Sequence, residues 1–315
     1  MARVLVTHEL PPGGTDPLVA AGHEIVSVDG EQPLTHDTMV AAARDADAIV
    51  CLLSDRIDAE VLAAGADGGR LRVVANVAVG YDNIDVIAAT ERGIAVCNTP
   101  GVLDDTTADL ALLLILAATR RASDAEADLR AGRWSGWGIN EYLGHDVHGA
   151  ILGLVGLGRI GQAVLRRATG FNMRVVHHTR HDTALPGYVG DLDRLLAESD
   201  IVSLHVPLNE DSFHLIGARE LALMKPSAVL VNTSRGPVID EEALATALED
   251  GTIFAAGLDV FEHEPEVHPR LLAAPRTVLL PHIGSASLAT RRRMAEVACE
   301  GVVAVLAGER PEHLV

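Results

Sequence analysis

Short apolar runs separated by amphipathic stretches recur along the chain and predict strands alternating with helices. In the first third the runs are Val4-Leu5-Val6, Glu24-Ile25-Val26-Ser27-Val28, Ala48-Ile49-Val50-Cys51-Leu52 and Leu71-Arg72-Val73-Val74-Ala75, with helical stretches near 16–21, 36–45, 58–66 and 83–91. Brief apolar runs bounded by turns are strands buried on both faces, and their alternation with helices is the signature of a parallel sheet. Asp104-Asp105-Thr106-Thr107 reads as the capped, acidic start of a long apolar helix that ends at Thr119 and crosses between domains. The alternation then resumes, with strands expected near 151–155, 173–178, 201–206, 228–232, 253–258 and 277–280, and helices near 162–168, 191–198, 218–223, 240–250 and 269–273. A last helix, near 286–307, has no strand after it and is expected to return to the first sheet.

One turn carries more than geometry. Gly156-Leu157-Gly158-Arg159-Ile160-Gly161 is a GxGxxG turn between an expected strand and an expected helix, which is the context that gives this motif meaning. Gly156 makes the tight turn, Gly158 lets backbone N–H groups approach a pyrophosphate, and Gly161 lets helix and strand pack closely. A dinucleotide fold wants this turn in its first βα unit, so its position near mid-chain predicts an earlier, separate domain and a cleft. The expected fold class is α/β with two doubly wound parallel-sheet domains. A Rossmann cofactor domain, 100–286, is inserted into a flavodoxin-like substrate domain, 1–99 and 287–315.

Composition narrows the function classes. A chain of 315 residues with 48% hydrophobic content can bury two cores, and a formal net charge of -19 works against a nucleic-acid surface. Arg291-Arg292-Arg293 is the one dense basic run and reads as a salt-bridged helix face. Cys51, Cys97 and Cys299 suggest neither a disulfide framework nor a zinc site and suit a reducing cytoplasm. The N-terminus lacks the apolar core of a signal peptide, and the longest apolar run, Leu110 to Ala118, is too short to cross a bilayer. The expectation is a cytoplasmic protein with neither a nucleic-acid nor a membrane partner.

Three ionisable residues follow expected strands in the second half. They are Arg235 in Asn232-Thr233-Ser234-Arg235-Gly236, Glu264 in Glu262-His263-Glu264-Pro265, and His282 in Pro281-His282-Ile283-Gly284-Ser285. The carboxyl ends of strands border the ligand crevice of open α/β sheets, so the three are expected to converge there. A guanidinium can hold a carboxylate and a carbonyl oxygen, an imidazolium can donate a proton, and a carboxylate can keep it protonated. Together they suit reduction of a 2-keto acid. An exposed Arg, a surface Glu and a satisfied His are the ordinary alternative.

These segments occur in one order with Asn76-Val77-Ala78-Val79-Gly80-Tyr81-Asp82-Asn83-Ile84-Asp85, Asn98-Thr99-Pro100 and Leu258-Asp259-Val260-Phe261. With them the chain resembles, over nearly its whole length, the D-isomer-specific 2-hydroxyacid dehydrogenases, and most of all those that reduce glyoxylate and hydroxypyruvate. The resemblance implies an oxidoreductase that reduces a small 2-keto acid with NAD(P)H, His282 being the acid/base, Glu264 its partner and Arg235 the group that orients substrate. It implies that Leu53, Ser54, Val79 and Gly80 also line the substrate, with backbone around Val79 and Gly80 holding its carboxylate. Cofactor contacts are implied for Gly156, Gly158, Arg159, Ile160 and Gly161, and for Thr107, Thr179, Arg180, Val206, Pro207, Thr233, Asp259 and Gly284. A homodimer is implied as well, in which Trp134-Ser135-Gly136-Trp137 crosses the interface and Trp137 enters the partner's site. A loop anchored on its own core would also explain these tryptophans. Dehydrogenases of phosphoglycerate, phosphite or formate, and dinucleotide-sensing corepressors, share the scaffold and stay open as alternatives.

The strand after the glycine turn bears on the cofactor. NAD-specific sites place an acid at its end, about 20 residues past the glycines. Here the strand reads Met173-Arg174-Val175-Val176-His177-His178-Thr179-Arg180-His181, and alignment to the family puts Thr179 in the acid's place with Arg180 after it. A carboxylate about 4 Å from a 2′-phosphate would repel it by roughly 4 kcal/mol per unit charge at an effective dielectric of 20. Its absence favours NADP(H), with NAD(H) possible if Arg180 only points into solvent. Adjacent strand residues face opposite ways, so His177, His178 and His181 are not expected to share a metal ion.

Overall fold

A computed structural model describes residues 1–27, 34–182 and 184–315. The chain divides into two compact units, Met1–Leu103 with Ser285–Val315, and Asp104–Gly284. The divisions fall a few residues from the expected ones. Asp104 already opens a helix of the second unit, and the Gly284 N–H is still bound to Asp259 Oδ2 at 2.8 Å.

In the first unit β1 (Arg3–Val6), β2 (Glu24–Ser27), β3 (Ala48–Cys51), β4 (Val73–Asn76) and β5 (Ala95–Cys97) pair in parallel in the order β2-β1-β3-β4-β5. This is the flavodoxin-like order. The helices between strands are α1 (Asp16–Ala20), α2 (His36–Ala43), α3 (Ala59–Ala66) and α4 (Val86–Glu91). Alternate side chains of each strand feed two cores. Leu5, Ile49 and Val74 pack with Met39, Val61 and Leu62 of α2 and α3, while Val4, Val6, Val50 and Val73 pack with Ala298, Cys299 and Val302. The last three lie on the terminal helix, Leu288–Ala307, which therefore covers the second face of the first sheet. Its N-cap Ser287 accepts the Thr290 N–H, and its Arg292 and Arg293 pair with Glu296 and Glu300. Val28, expected in β2, lies outside the described residues. The unexpected strand β5 has three residues, too few for a pattern to be read.

The second unit begins with α5 (Asp104–Thr119) and α6 (Ala122–Arg130). Its sheet contains β6 (Ile151–Val155), β7 (Arg174–His178), β8 (Ile201–Leu204), β9 (Val229–Asn232), β10 (Ala255–Leu258) and β11 (Thr277–Leu279), all parallel, in the order β11-β10-β9-β8-β6-β7. Beyond β7 a parallel bridge from His177 to Tyr188 stands where a Rossmann sheet has a further strand. Strand order reverses at β6, the switch point beside which such sheets bind ligands. Helices α7 (Arg159–Ala168), α8 (Leu192–Glu198), α9 (Ala218–Leu223), α10 (Glu241–Glu249) and α11 (Pro269–Ala273) complete the unit.

Helix α5 lies wholly in this unit. Its Ala108, Ala111, Leu114, Ile115 and Ala118 pack with Leu152, Leu154, Val229 and Val231 on one face of the sheet. Leu195, Leu196, Leu221, Leu244 and Leu248 cover the other face, against Val202, Leu204 and Leu230. Helix α6 was not expected because it buries none of its residues and so carries no apolar stripe. No helix among the described residues is long and apolar enough to cross a membrane.

Candidate active site

The glycine turn joins β6 to α7. Gly156 adopts φ 95, donates its N–H to His178 O at 2.9 Å, and leaves no room for a Cβ beside the His205 carbonyl. A Cβ on Gly161 would lie 2.5 Å from Gly156 O. Those two glycines serve packing. Gly158 differs, because a Cβ there meets no protein atom within 4 Å. It is the N-cap of the ten-residue α7, so Arg159 and Ile160 open that helix toward free space. The unpaired N–H groups of a first helical turn are an anion site. Val206, just after β8, adjoins Gly156, with Pro207 exposed next to it. At the end of β9 the Thr233 hydroxyl is buried and has no hydrogen-bond partner among the described residues. Bare glycine surface, a helix N-terminus and an orphaned hydroxyl together fit a dinucleotide.

The three ionisable residues sit on loops that follow β9, β10 and β11. His282 Nδ1 meets Glu264 Oε2 at 2.8 Å, and the other Glu264 oxygen accepts the Phe261 N–H at 3.0 Å. Burial pushes the Glu264 carboxyl up, but the hydrogen bond and charge of His282, the Phe261 amide and the Arg235 charge outweigh it and hold the group below the ordinary glutamate range. Arg235 donates from Nη1 to Ser234 O at 2.8 Å, and its own carbonyl accepts from the buried Asn232 side chain at 2.8 Å. The next residue, Gly236, rests directly on the Phe261–Glu262 peptide, where any Cβ would overlap it. That contact holds the Arg235 and Glu264 loops together.

Beneath His282 lies Asp259, 1% exposed. Its two oxygens accept the Ile283 and Gly284 N–H groups, each at 2.8 Å, and its N–H and C=O join Asn232 O and His282 N. Burial pushes its carboxyl up to about 6, against the pull of the Ile283 amide, His282 and the Gly284 amide and with a further push from Glu264. Thr107 Oγ1 reaches Gly284 O at 3.4 Å. Thr107, Asp259, His282 and Gly284 are thus one cluster, next to Glu264.

In the first unit, Leu53 and Ser54 follow β3, and Val79 and Gly80 follow β4. Three asparagines tie these loops down. Asn98 Nδ2 donates to Val79 O at 2.8 Å, Asn76 Nδ2 to Gly80 O at 2.7 Å, and Asn83 Nδ2 to Leu52 O at 3.0 Å. In a trans peptide the N–H points opposite to the C=O, so the Gly80 and Tyr81 N–H groups face away from these anchors. Asn76, Asn83 and Asn98 stand in motif segments of the sequence, where residue type alone gives no sign of this role.

Residues 112–284 match the family described as D-isomer specific 2-hydroxyacid dehydrogenase, NAD binding domain. A glyoxylate reductase of Korarchaeum cryptofilum is 49% identical over 321 residues, covering 99% of this chain and 95% of that protein. The chain belongs to the D-isomer-specific 2-hydroxyacid dehydrogenase family. Its second unit is the nicotinamide-dinucleotide-binding domain of such an enzyme. Among solved structures, the TT0316 protein from Thermus thermophilus matches this dehydrogenase with a TM-score of 0.94 at 46% identity, covering 99% of both chains. An NADPH-dependent glyoxylate/hydroxypyruvate reductase from Sinorhizobium meliloti, in complex with NADP and malonate, matches with a TM-score of 0.86 at 34% identity, covering 100% of this chain and 96% of that one.

Elsewhere in the dehydrogenase, β7 ends at His178 and is followed by the half-buried Thr179, whose Oγ1 donates to His181 O at 2.6 Å. Arg180 is exposed, with Nη1 3.7 Å from Asp211 Oδ2. The three histidines part ways. His177 is buried against Tyr188, His178 Nδ1 meets Val189 O, and His181 is exposed. Among the described residues no group of three or more His, Cys, Asp or Glu side chains could hold a metal ion. Trp134 and Trp137 are exposed, Trp137 at 82%.

Proposed function

We propose that this dehydrogenase reduces glyoxylate and hydroxypyruvate to the corresponding 2-hydroxy acids. The observation that carries the reading is the Glu264–His282 pair beside Arg235 at the carboxyl edge of the second sheet. When bound, the nicotinamide supplies the hydride. His282 supplies the proton: Glu264 occupies Nδ1, which orients the ring and leaves Nε2 to face substrate. Arg235 binds the carboxylate and polarises the carbonyl of the keto acid, where the alkoxide charge develops. Relatives whose names state glyoxylate or glyoxylate/hydroxypyruvate reduction support this choice of substrate.

NADP(H) is the preferred cofactor in this reading. No carboxylate occupies 177–181, the segment where an acid would select NAD, and Arg180 stands exposed to meet a 2′-phosphate. The NADPH-dependent relative supports it. The enzyme is a homodimer in this reading. Leu113, Leu129, Trp134, Trp137, Ile139 and Leu143 of the second unit are all exposed, apolar side chains that a partner subunit would cover. Three buried free thiols suit a cytoplasmic location. The test is oxidation of NADPH and of NADH with glyoxylate, hydroxypyruvate, pyruvate and phenylpyruvate. The highest kcat/KM is expected for glyoxylate or hydroxypyruvate with NADPH. Activity confined to other acids would overturn the substrate, and a preference for NADH the cofactor.

A further inference from the structure

A buried carboxylate outside the reaction proposed above is joined to the loop that carries Glu264. Two successive N–H groups of one loop point to two different glutamates. The Phe261 N–H donates to Glu264 Oε1 at 3.0 Å, and the Glu262 N–H donates to Glu241 Oε1 at 2.8 Å. Glu241 is the first residue of α10 and is only 3% exposed. The link is reciprocal, because Glu262 Oε2 accepts the Glu241 N–H at 3.3 Å and so meets the positive end of α10. The other Glu262 oxygen is held by His214 Nε2. From below, Gly236 presses on the peptide that joins Phe261 to Glu262.

We infer that Glu241 is a positioning residue for the Glu264–His282 pair, acting through the Glu262 amide and the Phe261–Glu262 peptide. This rests on the role proposed above for Glu264. The peptide plane is rigid, so anchoring the Glu262 N–H fixes the direction of the chain that carries the Phe261 N–H, and with it the Glu264 carboxylate. A full hydrogen bond to a buried carboxylate is a strong anchor. Several charges face Glu241. Burial and the charge of Glu262 raise its carboxyl above the ordinary range, against the Glu262 amide, His268 and His263, which favour its ionised form. His268 and Arg270 on the neighbouring α11 pair with Glu242.

The test compares Glu241→Asp with Glu241→Gln. Aspartate withdraws the acceptor by roughly 1.5 Å, one C–C bond, whereas glutamine keeps it in place. A displacement of about 1 Å at a catalytic group costs up to about 10²-fold. E241D is therefore expected to lose tenfold to a hundredfold in kcat for reduction, with NADPH affinity within about twofold of wild type. Its KM for glyoxylate stays within about twofold of wild type, because Arg235 still binds the carboxylate, so the loss falls on kcat. E241Q is expected to keep both kcat and KM. An E241D enzyme with wild-type kcat, or an E241Q enzyme as impaired as E241D, would overturn the inference. Glu264→Gln tests the role of Glu264 by itself. If it leaves kcat at the wild-type value, the role of Glu264 fails and the inference falls with it. Native-state amide exchange of the wild-type enzyme gives a readout independent of any variant's folding. The Phe261 and Glu262 amides are expected to open together, and exchange of one without the other would refute the coupling.

Discussion

Gly158→Ala adds a methyl group at the N-cap of α7, where a Cβ meets no protein atom within 4 Å and φ is -69. That φ suits any residue, so the folding cost is only that of alanine in place of glycine at an N-cap, at most about 1 kcal/mol. The methyl group instead takes space in front of the α7 N-terminus, where a pyrophosphate would approach the backbone. Losing one hydrogen bond to a charged group costs about 1.5–3 kcal/mol, which is roughly tenfold to a hundredfold in Kd. Gly161→Ala is the control. Its Cβ would lie 2.5 Å from Gly156 O, so strand and helix must separate, and both stability and binding should fall. Fluorescence titration with NADPH and NADH, alongside denaturant unfolding, reads both quantities. G158A is expected to unfold nearly as wild type does while binding either dinucleotide at least about tenfold more weakly. Wild-type affinity in G158A, or a stability loss equal to that of G161A, would refute placement of the pyrophosphate at this turn.

His282→Ala should bind NADPH as wild type does and lose about 10²–10⁴-fold in kcat, the usual contribution of a general acid; unchanged turnover would remove it from the mechanism. Asp259 gives a pH test of stability. Its folded value of about 6 lies above the 3.8 of an unperturbed aspartate, so the folded state binds more protons between those values, and its stabilisation is present below about 4 and lost as pH rises through 6. The lost stability amounts to about 3 kcal/mol. The advantage of the native protein over Asp259→Asn in unfolding free energy should shrink by that order between pH 4 and 7, and a flat difference would exclude the perturbed carboxyl. Light scattering is expected to give twice the 33.2 kDa chain mass, falling toward one chain in Trp137→Ala with Ile139→Asp; a wild-type monomer would defeat the dimer.

How far the fold and the site were legible depended on whether the deciding atom belongs to a side chain. Strands such as Ile151–Val155 and Val229–Asn232 announced themselves because a strand buried on both faces needs unbroken apolar residues. The short β5 and the polar α6 left no such trace. Arg235, Glu264 and His282 could be proposed from their residue types. The Phe261 N–H that holds Glu264 could not, since every residue but proline carries that donor. The asparagines at 76, 83 and 98 sat in recognised motifs, yet their work is to turn carbonyls inward, which only the loop geometry shows.

The residues alone determined the alternation of strand and helix, the glycine turn and the chemical kit of the site, because these follow from local sterics and side-chain type. The tertiary structure decided which core the terminal helix completes, that the loops of Arg235 and Glu264 touch at Gly236, and that Asp259 is buried enough to reach about 6. Those outcomes depend on distances between segments far apart in the chain, and desolvation exists only once the segments have packed.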